Sequence, residues 1–196
     1  MSNTFLVIEQ HHQIFNDAGS LLTIPPVSPL QAVMVIPDTT VPRLALFTLD
    51  LDSGLLTLRF SEPVTDLNAM PSAITLQSAS NGTTTSYTLT GGGLQSHATA
   101  ATLEVIISLK GLNTVKALLD LATSAANMFL SFTSNITRDY AFNEAEPIAF
   151  SNAVSVSSLI PDNTPPTLIN FSLDYDTGEL MLVYDETIDG SSLTKH

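Results

Sequence analysis

Cysteine and tryptophan are both absent from this chain, and basic residues are scarce: six Lys and Arg stand against nineteen Asp and Glu. Without a thiol, neither a disulfide framework nor a thiolate metal site can form. A net charge of −13 with no basic stripe leaves nothing to neutralise a phosphate backbone, so nucleic acid is not an expected partner. No apolar run approaches the ~18 residues of a membrane span. The first ten residues also lack the basic start and long apolar stretch of a signal peptide, so the leader of a secreted protein would lie outside this window. Charge is low overall, at 13% of residues, and solubility must come from 24 Thr and 21 Ser, a composition that favours strands and turns. What is plentiful is apolar surface: 44% of 196 residues is enough to bury the core of one or two domains.

Self-similarity carries the most information. Ile36 to Val64 reads IPDTTVPRLALFTLDLDSGLLTLRFSEPV, and Ile160 to Ile188 reads IPDNTPPTLINFSLDYDTGELMLVYDETI. The offset is 162 − 38 = 124 residues without a gap, and fourteen of the twenty-nine positions are identical, Asp38, Asp50, Asp52, Gly54 and Glu62 among them. A weaker extension sets Phe5-Leu6 over Phe129-Leu130. The expected organisation is therefore the end of one module (1–37), a complete module (38–161) and the opening of a third (162–196).

Within the complete module, Phe47 and Leu49, then Leu56, Leu58 and Phe60, alternate with smaller or more polar residues as in a half-buried strand. Asp52-Ser53-Gly54 between them predicts a hairpin turn, with Gly54 suited to positive φ. Further strands are expected at Ala73 to Gln77, Tyr87 to Thr90, Leu103 to Leu109, Met128 to Thr133 and Val154 to Leu159. A short helix capped by Asn113 or Thr114 should bury Val115, Leu118, Leu119 and Ala122 and cross between sheets. Seven or eight short strands in ~120 residues argue for an all-β sandwich. The junctions Ile36 to Pro42 and Ile160 to Pro166 carry Pro on both sides of a polar core and read as short, stiff linkers.

The D-x-T-x-P opening, the L-D-x-D-x-G-x-L-x-L hairpin and the F-S-E-P-V after it resemble the bacterial immunoglobulin-like repeats of surface-layer and large adhesin proteins. The longer signature, with Leu112-Asn113 to Lys116 and Asp139 to Asn143, is similar to tandem repeats of giant protist and algal proteins, including flagellar-hair and glycosylated-fibril proteins. The resemblance implies immunoglobulin-like β-sandwich repeats with one short crossover helix per module, placed outside the cell or on its surface. Two departures stand out: Tyr184-Asp185-Glu186-Thr187 replaces F-S-E-P in the second copy, and Asn143 lacks a preceding Gly.

Candidate chemistry is sparse. Asp50, Asp52 and Glu62 could do acid–base work, yet each recurs as Asp174, Asp176 and Glu186, which suits a turn and a strand end better than a catalytic pair. Asp50 to Gly54 resembles the start of a calcium loop, but Pro63 lies near where the bidentate Glu should fall. An interdomain calcium site using Asp38, Asp50 or Asp162 remains as the alternative to having no cofactor. His11, His12 and His97 read as surface histidines, and Gly91-Gly92-Gly93 as a flexible turn rather than a phosphate loop. No Ser has the G-x-S-x-G context of a nucleophile. Three N-x-S/T sequons, at Asn81, Asn135 and Asn170, are the candidate glycosylation sites.

No enzymatic activity is expected. The reading is a structural module of an extracellular, glycosylated filament or coat, whose partners are N-linked glycans and neighbouring copies joined head to tail. The alternative is an adhesin module binding a carbohydrate or protein ligand, with calcium. A binder should gather aromatic or charged residues at one end of the sandwich, and this chain has four scattered Tyr and no Trp.

Overall fold

The computed structural model describes residues 5–6, 30–31, 34–82, 85–95 and 101–190. His11, His12, His97 and Thr83 of the first sequon lie outside them. The chain divides into two compact units, Met1–Asp38 and Thr39–His196. In the first, β1 (Phe5–Leu6) pairs antiparallel with β2 (Leu30–Gln31), Phe5 opposite Gln31 and Leu6 opposite Leu30.

The second unit is built mainly of strands. One sheet has the order β11 (Ser158–Ile160), β3 (Leu44–Asp50), β4 (Leu55–Phe60), β8 (Thr102–Ile107), β7 (Gly92–Gln95). The other has the order β10 (Val154–Ser155), β9 (Phe129–Phe132), β5 (Ile74–Gln77), β6 (Ser86–Thr88). All neighbours are antiparallel except β11 and β3, which are parallel. Alternation does the work it should: Phe47, Leu49, Leu56, Leu58, Leu103 and Val105 from one sheet join Ile74, Leu76, Leu130 and Phe132 from the other in a single buried cluster. Each such side chain contributes about 1.5–3 kcal/mol by leaving water.

β9 and β10 reproduce the pairing of the first unit, with Leu130 opposite Val154 and Phe129 opposite Ser155. Those are the β1 and β2 partners displaced by 124 residues (5 + 124 = 129, 31 + 124 = 155).

A third pair, β12 (Leu168–Asp174) and β13 (Glu179–Tyr184), forms a two-stranded sheet of its own. Its register is that of β3 and β4 moved by 124 positions: Phe47 opposite Leu58 becomes Phe171 opposite Leu182, and Leu49 opposite Leu56 becomes Leu173 opposite Leu180. Even the irregularity recurs, between Leu44 and Leu46 in one hairpin and between Leu168 and Asn170 in the other. Both turns carry a glycine at φ +70°, Gly54 and Gly178. Local sequence thus builds the same hairpin twice.

Three sequence expectations need correction. The helix α1 spans Leu109–Ala117 and is capped by Ser108, whose Oγ accepts the Gly111 N–H at 3.2 Å, so neither Asn113 nor Thr114 begins it. Its buried face is Gly111, Leu112 and Val115; Leu118 is the C-cap, Leu119 is 83% exposed, and Ala122 has left the helix at φ +57°. Gly111 belongs inside because a Cβ there would lie 3.1 Å from Ile107 Cγ2 and 3.2 Å from the Tyr87 hydroxyl. Crossing between sheets does occur, since α1 links β8 to β9.

Val154 to Leu159 is two strands in different sheets rather than one. Val156 N–H donates to Met128 O and Ser157 N–H to Phe47 O, both at 2.9 Å, so the chain changes sheets between adjacent residues. Lastly, Gly92 and Gly93 are strand residues of β7, and only Gly91, at φ +151°, remains outside it. A Cβ on Gly92 would sit 2.7 Å from Ile106 O, so the missing side chain is what lets the strands close. Among the described residues, no helix is long and apolar enough to cross a membrane.

Candidate functional site

Three of the repeated acidic residues, Asp52, Asp162 and Glu186, lie at the connection between the two-sheet body and the hairpin that follows it. Asp50 Oδ1 accepts the backbone N–H groups of Asp52 (2.9 Å) and Ser53 (3.2 Å), closing the β3–β4 turn. Asp174 does the same for Asp176 (2.8 Å) and Thr177 (3.2 Å). Those bonds, the Thr177 N–H first, hold the Asp174 carboxyl below its ordinary range.

Asp52 is free of that task and reaches across the sequence. Its Oδ1 accepts the Asn163 N–H at 2.8 Å, the Thr164 N–H at 3.1 Å and the Thr164 hydroxyl at 3.1 Å. The first hairpin therefore grips the linker that leaves its own sandwich, just after β11 has paired with β3 and Leu51 N–H has bonded Ile160 O at 3.0 Å. The Asn163 N–H is the main reason that the Asp52 carboxyl titrates lower than usual, with desolvation opposing it and the two Thr164 groups and Asp162 adding to it.

This grip should be sensitive to acid, and its sign follows from the direction of the shift. Asp52 binds its proton less readily folded than unfolded, so its contribution is present above about pH 4 and is lost as pH falls through the lowered folded value. The Asn163 amide resonance should move with a midpoint below 3.8, the ordinary value, and Asp52→Asn should abolish that inflection. A midpoint at or above the ordinary value would refute the grip.

A second contact fastens the hairpin itself. Lys116, in the last turn of α1, places Nζ 2.8 Å from Glu186 Oε2 and 2.9 Å from Asp162 Oδ2. The three side chains are 11%, 10% and 27% exposed, so this pair is shielded in a way surface ion pairs are not. Covering the ammonium pulls its pKa down, but the bonds and charges of Glu186 and Asp162 outweigh that and leave it above the usual lysine value. Next to it, the Thr187 hydroxyl donates to Asn113 O at 3.0 Å. A 550 Å³ cleft beside this contact is lined by Leu109, Lys110, Asn113, Thr114, Ala117 and Thr187.

The three residues named for calcium are distributed differently. Asp50 is committed to its turn, Asp162 to Lys116 and the Thr164 N–H (3.3 Å), and Asp38 is an exposed residue closing the first unit. Within the second unit, a Glu62 carboxylate oxygen lies within 4.8 Å of one of Asp139. Asp139 is 3% exposed, and its two oxygens accept the Asn143 N–H and Asn143 Nδ2 at 2.8 Å each. Phe142, standing where the resembled repeats have Gly, adopts φ +72° to close this loop, and Arg138 stacks 4.7 Å above its ring.

The three sequon asparagines are exposed, although Ile136 and Thr137 of the second sequon are buried, with the Thr137 hydroxyl on Thr65 O at 2.7 Å. Asn81 is exposed in the turn after β5 and is followed by Gly82, whose absent Cβ makes room for the Phe150 ring. Asn135 is exposed in a 3-10 turn and accepts from the Thr133 hydroxyl, and Asn170 is exposed on β12 with its Oδ1 on the Phe171 N–H at 2.8 Å.

Sequence reasoning missed Lys116, Asn163, Thr164 and Thr187. The signal was partly there, because Asp38, Thr40, Asp52 and Glu62 are all kept in the second copy. Comparing the copies shows which residues persist, but the lysine that binds Asp162 and Glu186 lies on α1, outside the repeated stretch.

No protein-family model matches this chain, and no curated protein does. Among solved structures it is similar to the S-layer protein SbsC, at 16% identity and a TM-score of 0.40 over 68% of this chain and 15% of that chain. Domains 1-6 of SbsC give 16%, a TM-score of 0.41, and coverage of 69% and 16%. The N-terminal part of the bacterial S-layer protein SbsC gives 16%, 0.39, and coverage of 67% and 26%. The chain thus spans about a quarter or less of the proteins it resembles, and likeness at this level establishes no common role.

Proposed function

We propose that this chain is a stretch of a tandem-repeat structural protein, in which immunoglobulin-like sandwich modules join head to tail into an extracellular, glycosylated filament or surface coat. The module limits in this reading are 1–37, 38–161 and 162–196. One observation carries it. The same hairpin occurs twice in the same register, once buried within a sandwich and once with Phe171 63%, Leu180 56% and Leu173 46% exposed. An apolar hairpin with an open face is a partial module, because two strands alone bury too little to be stable in water. The β1–β2 pairing, matching β9–β10 at the same offset, supports the same reading at the other end. The Asp52 grip and the Lys116 contact restrict the linker, which suits a rod better than loosely strung beads.

Imaging of native material should show a rod whose axial step is one sandwich. Intact-mass measurement before and after glycosidase treatment should show added sugar, with Asn81 occupied. A closed symmetric dimer, or native peptides with bare Asn81, would count against the filament and the glycan respectively.

A further inference from the structure

Resting on the glycosylated reading above, we infer that Asn135 accepts a glycan only before its part of the chain folds, whereas Asn170 stays open to the transferase afterwards. A sequon is three residues long because the enzyme that uses it must read a hydroxyl two positions after the asparagine. In the transfer, the asparagine Nδ2 bonds to the anomeric carbon of a lipid-pyrophosphate-linked oligosaccharide. The bond from that carbon to the pyrophosphate oxygen breaks, the lipid pyrophosphate leaves with the electron pair, and one amide proton is released. An exposed asparagine is therefore half of what the reaction needs. The other half is a reachable hydroxyl.

At Asn135 the two halves are separated. The asparagine is exposed, but Ile136 is 0% and Thr137 3% exposed, and the Thr137 hydroxyl is spent on Thr65 O. Backbone bonds fix the same residues: Met70 N–H donates to Ile136 O at 3.0 Å, Ala145 N–H to Thr137 O at 3.0 Å and Ile136 N–H to Thr133 O at 3.1 Å. Ile136 also belongs to the core cluster that both sheets build. Presenting Thr137 to an enzyme thus means withdrawing Ile136 from the core and parting the sequon from Thr65, Met70 and Ala145, which is local unfolding rather than a side-chain rotation. The lock closes late. Thr65 and Met70 precede the sequon but Ala145 follows it, so a chain made from its N-terminus leaves the lock incomplete until residue 145 has emerged. Asn170 is the contrast, since Asn170, Phe171 and Ser172 are all exposed along β12. Thr83 of the Asn81 sequon lies outside the described residues, so the order concerns these two sites.

The test takes the full-length chain made without glycans in a bacterial cytoplasm and supplies a purified oligosaccharyltransferase with a lipid-linked oligosaccharide. Slow hydrogen exchange at the Met70 and Ala145 amides marks chains in which the sequon is locked. Occupancy of each asparagine is followed by peptide mass spectrometry, and each rate is divided by that of a synthetic peptide carrying the same sequon, 130–141 or 165–176, which removes the enzyme's own sequence preference. The normalised rate at Asn135 should fall at least about tenfold below that at Asn170, reflecting the opening equilibrium at the buried site. Equal normalised rates, a 130–141 peptide that is never modified, or a folded chain inert at Asn170 would each overturn the order. Native material bare at Asn81, Asn135 and Asn170 would instead remove the glycosylated reading and leave these rates as they stand.

Discussion

Phe47→Ala is expected to destabilise the two-sheet body by about 3–5 kcal/mol, while Phe171→Ala, at the same place in the second copy of the repeated stretch, should cost less than about 0.5 kcal/mol. Their local environments are alike: each lies mid-strand in the same hairpin register, opposite Leu58 in one case and Leu182 in the other. What differs is the cover. Phe47 is 0% exposed within a cluster drawn from both sheets, whereas Phe171 is 63% exposed. Removing a ring from the first leaves a cavity; removing it from the second leaves solvent where solvent already was. Urea denaturation of both variants measures the contrast directly. Similar losses at the two positions would mean that the second hairpin is already covered, and the partial-module reading would fall with that result.

Gln77→Ala should cost about 2–4 kcal/mol, far more than an amide on a strand usually does. Gln77 is 0% exposed, and every bond it makes is internal. Its Nε2 donates to Ala79 O and Phe150 O, both at 2.8 Å, and its Oε1 accepts the Ser131 hydroxyl at 2.9 Å. One side chain thus joins β5 to β9 and ties the 79–82 turn, with its Asn81 sequon, to the 150–152 turn. Truncation strands the buried Ser131 hydroxyl, removes the bonds to two part-buried carbonyls and opens a cavity besides. Thr75→Ala is the control: its hydroxyl meets Thr88 Oγ1 at 2.8 Å in an exposed pair, and its loss should cost under about 1 kcal/mol. The measurement is again the unfolding free energy, and equal losses for Gln77 and Thr75 would show that the buried network is not what holds this end together.

Legibility in the sequence followed the range of the interactions concerned. The hairpin was readable from Phe47, Leu49, Leu56, Leu58 and Gly54 because alternation and a positive-φ glycine are local requirements, satisfied by neighbours in the chain. The helix limits were not, since Ser108 became the cap and Gly111 an interior residue only once Tyr87 and Ile107 packed against it. The split of Val154 to Ile160 between two sheets was equally hidden. Nothing in that run marks the change, and the partners that decide it, Met128 and Phe47, are both distant in sequence.

The candidate site shows the same division. Sequence by itself determined that acidic residues recur at an offset of 124, and that Asp50 and Asp174 belong to turns, because an aspartate bonding N–H groups two and three residues on needs only its own loop. Tertiary structure decided what the other repeated acids do. Asp52 holds a linker more than a hundred residues away, and Glu186 and Asp162 meet a lysine on a helix outside the repeated stretch. A carboxylate takes whichever donor the fold brings within about 3 Å. Its recurrence can therefore be read from the chain, and its partner only from the packing.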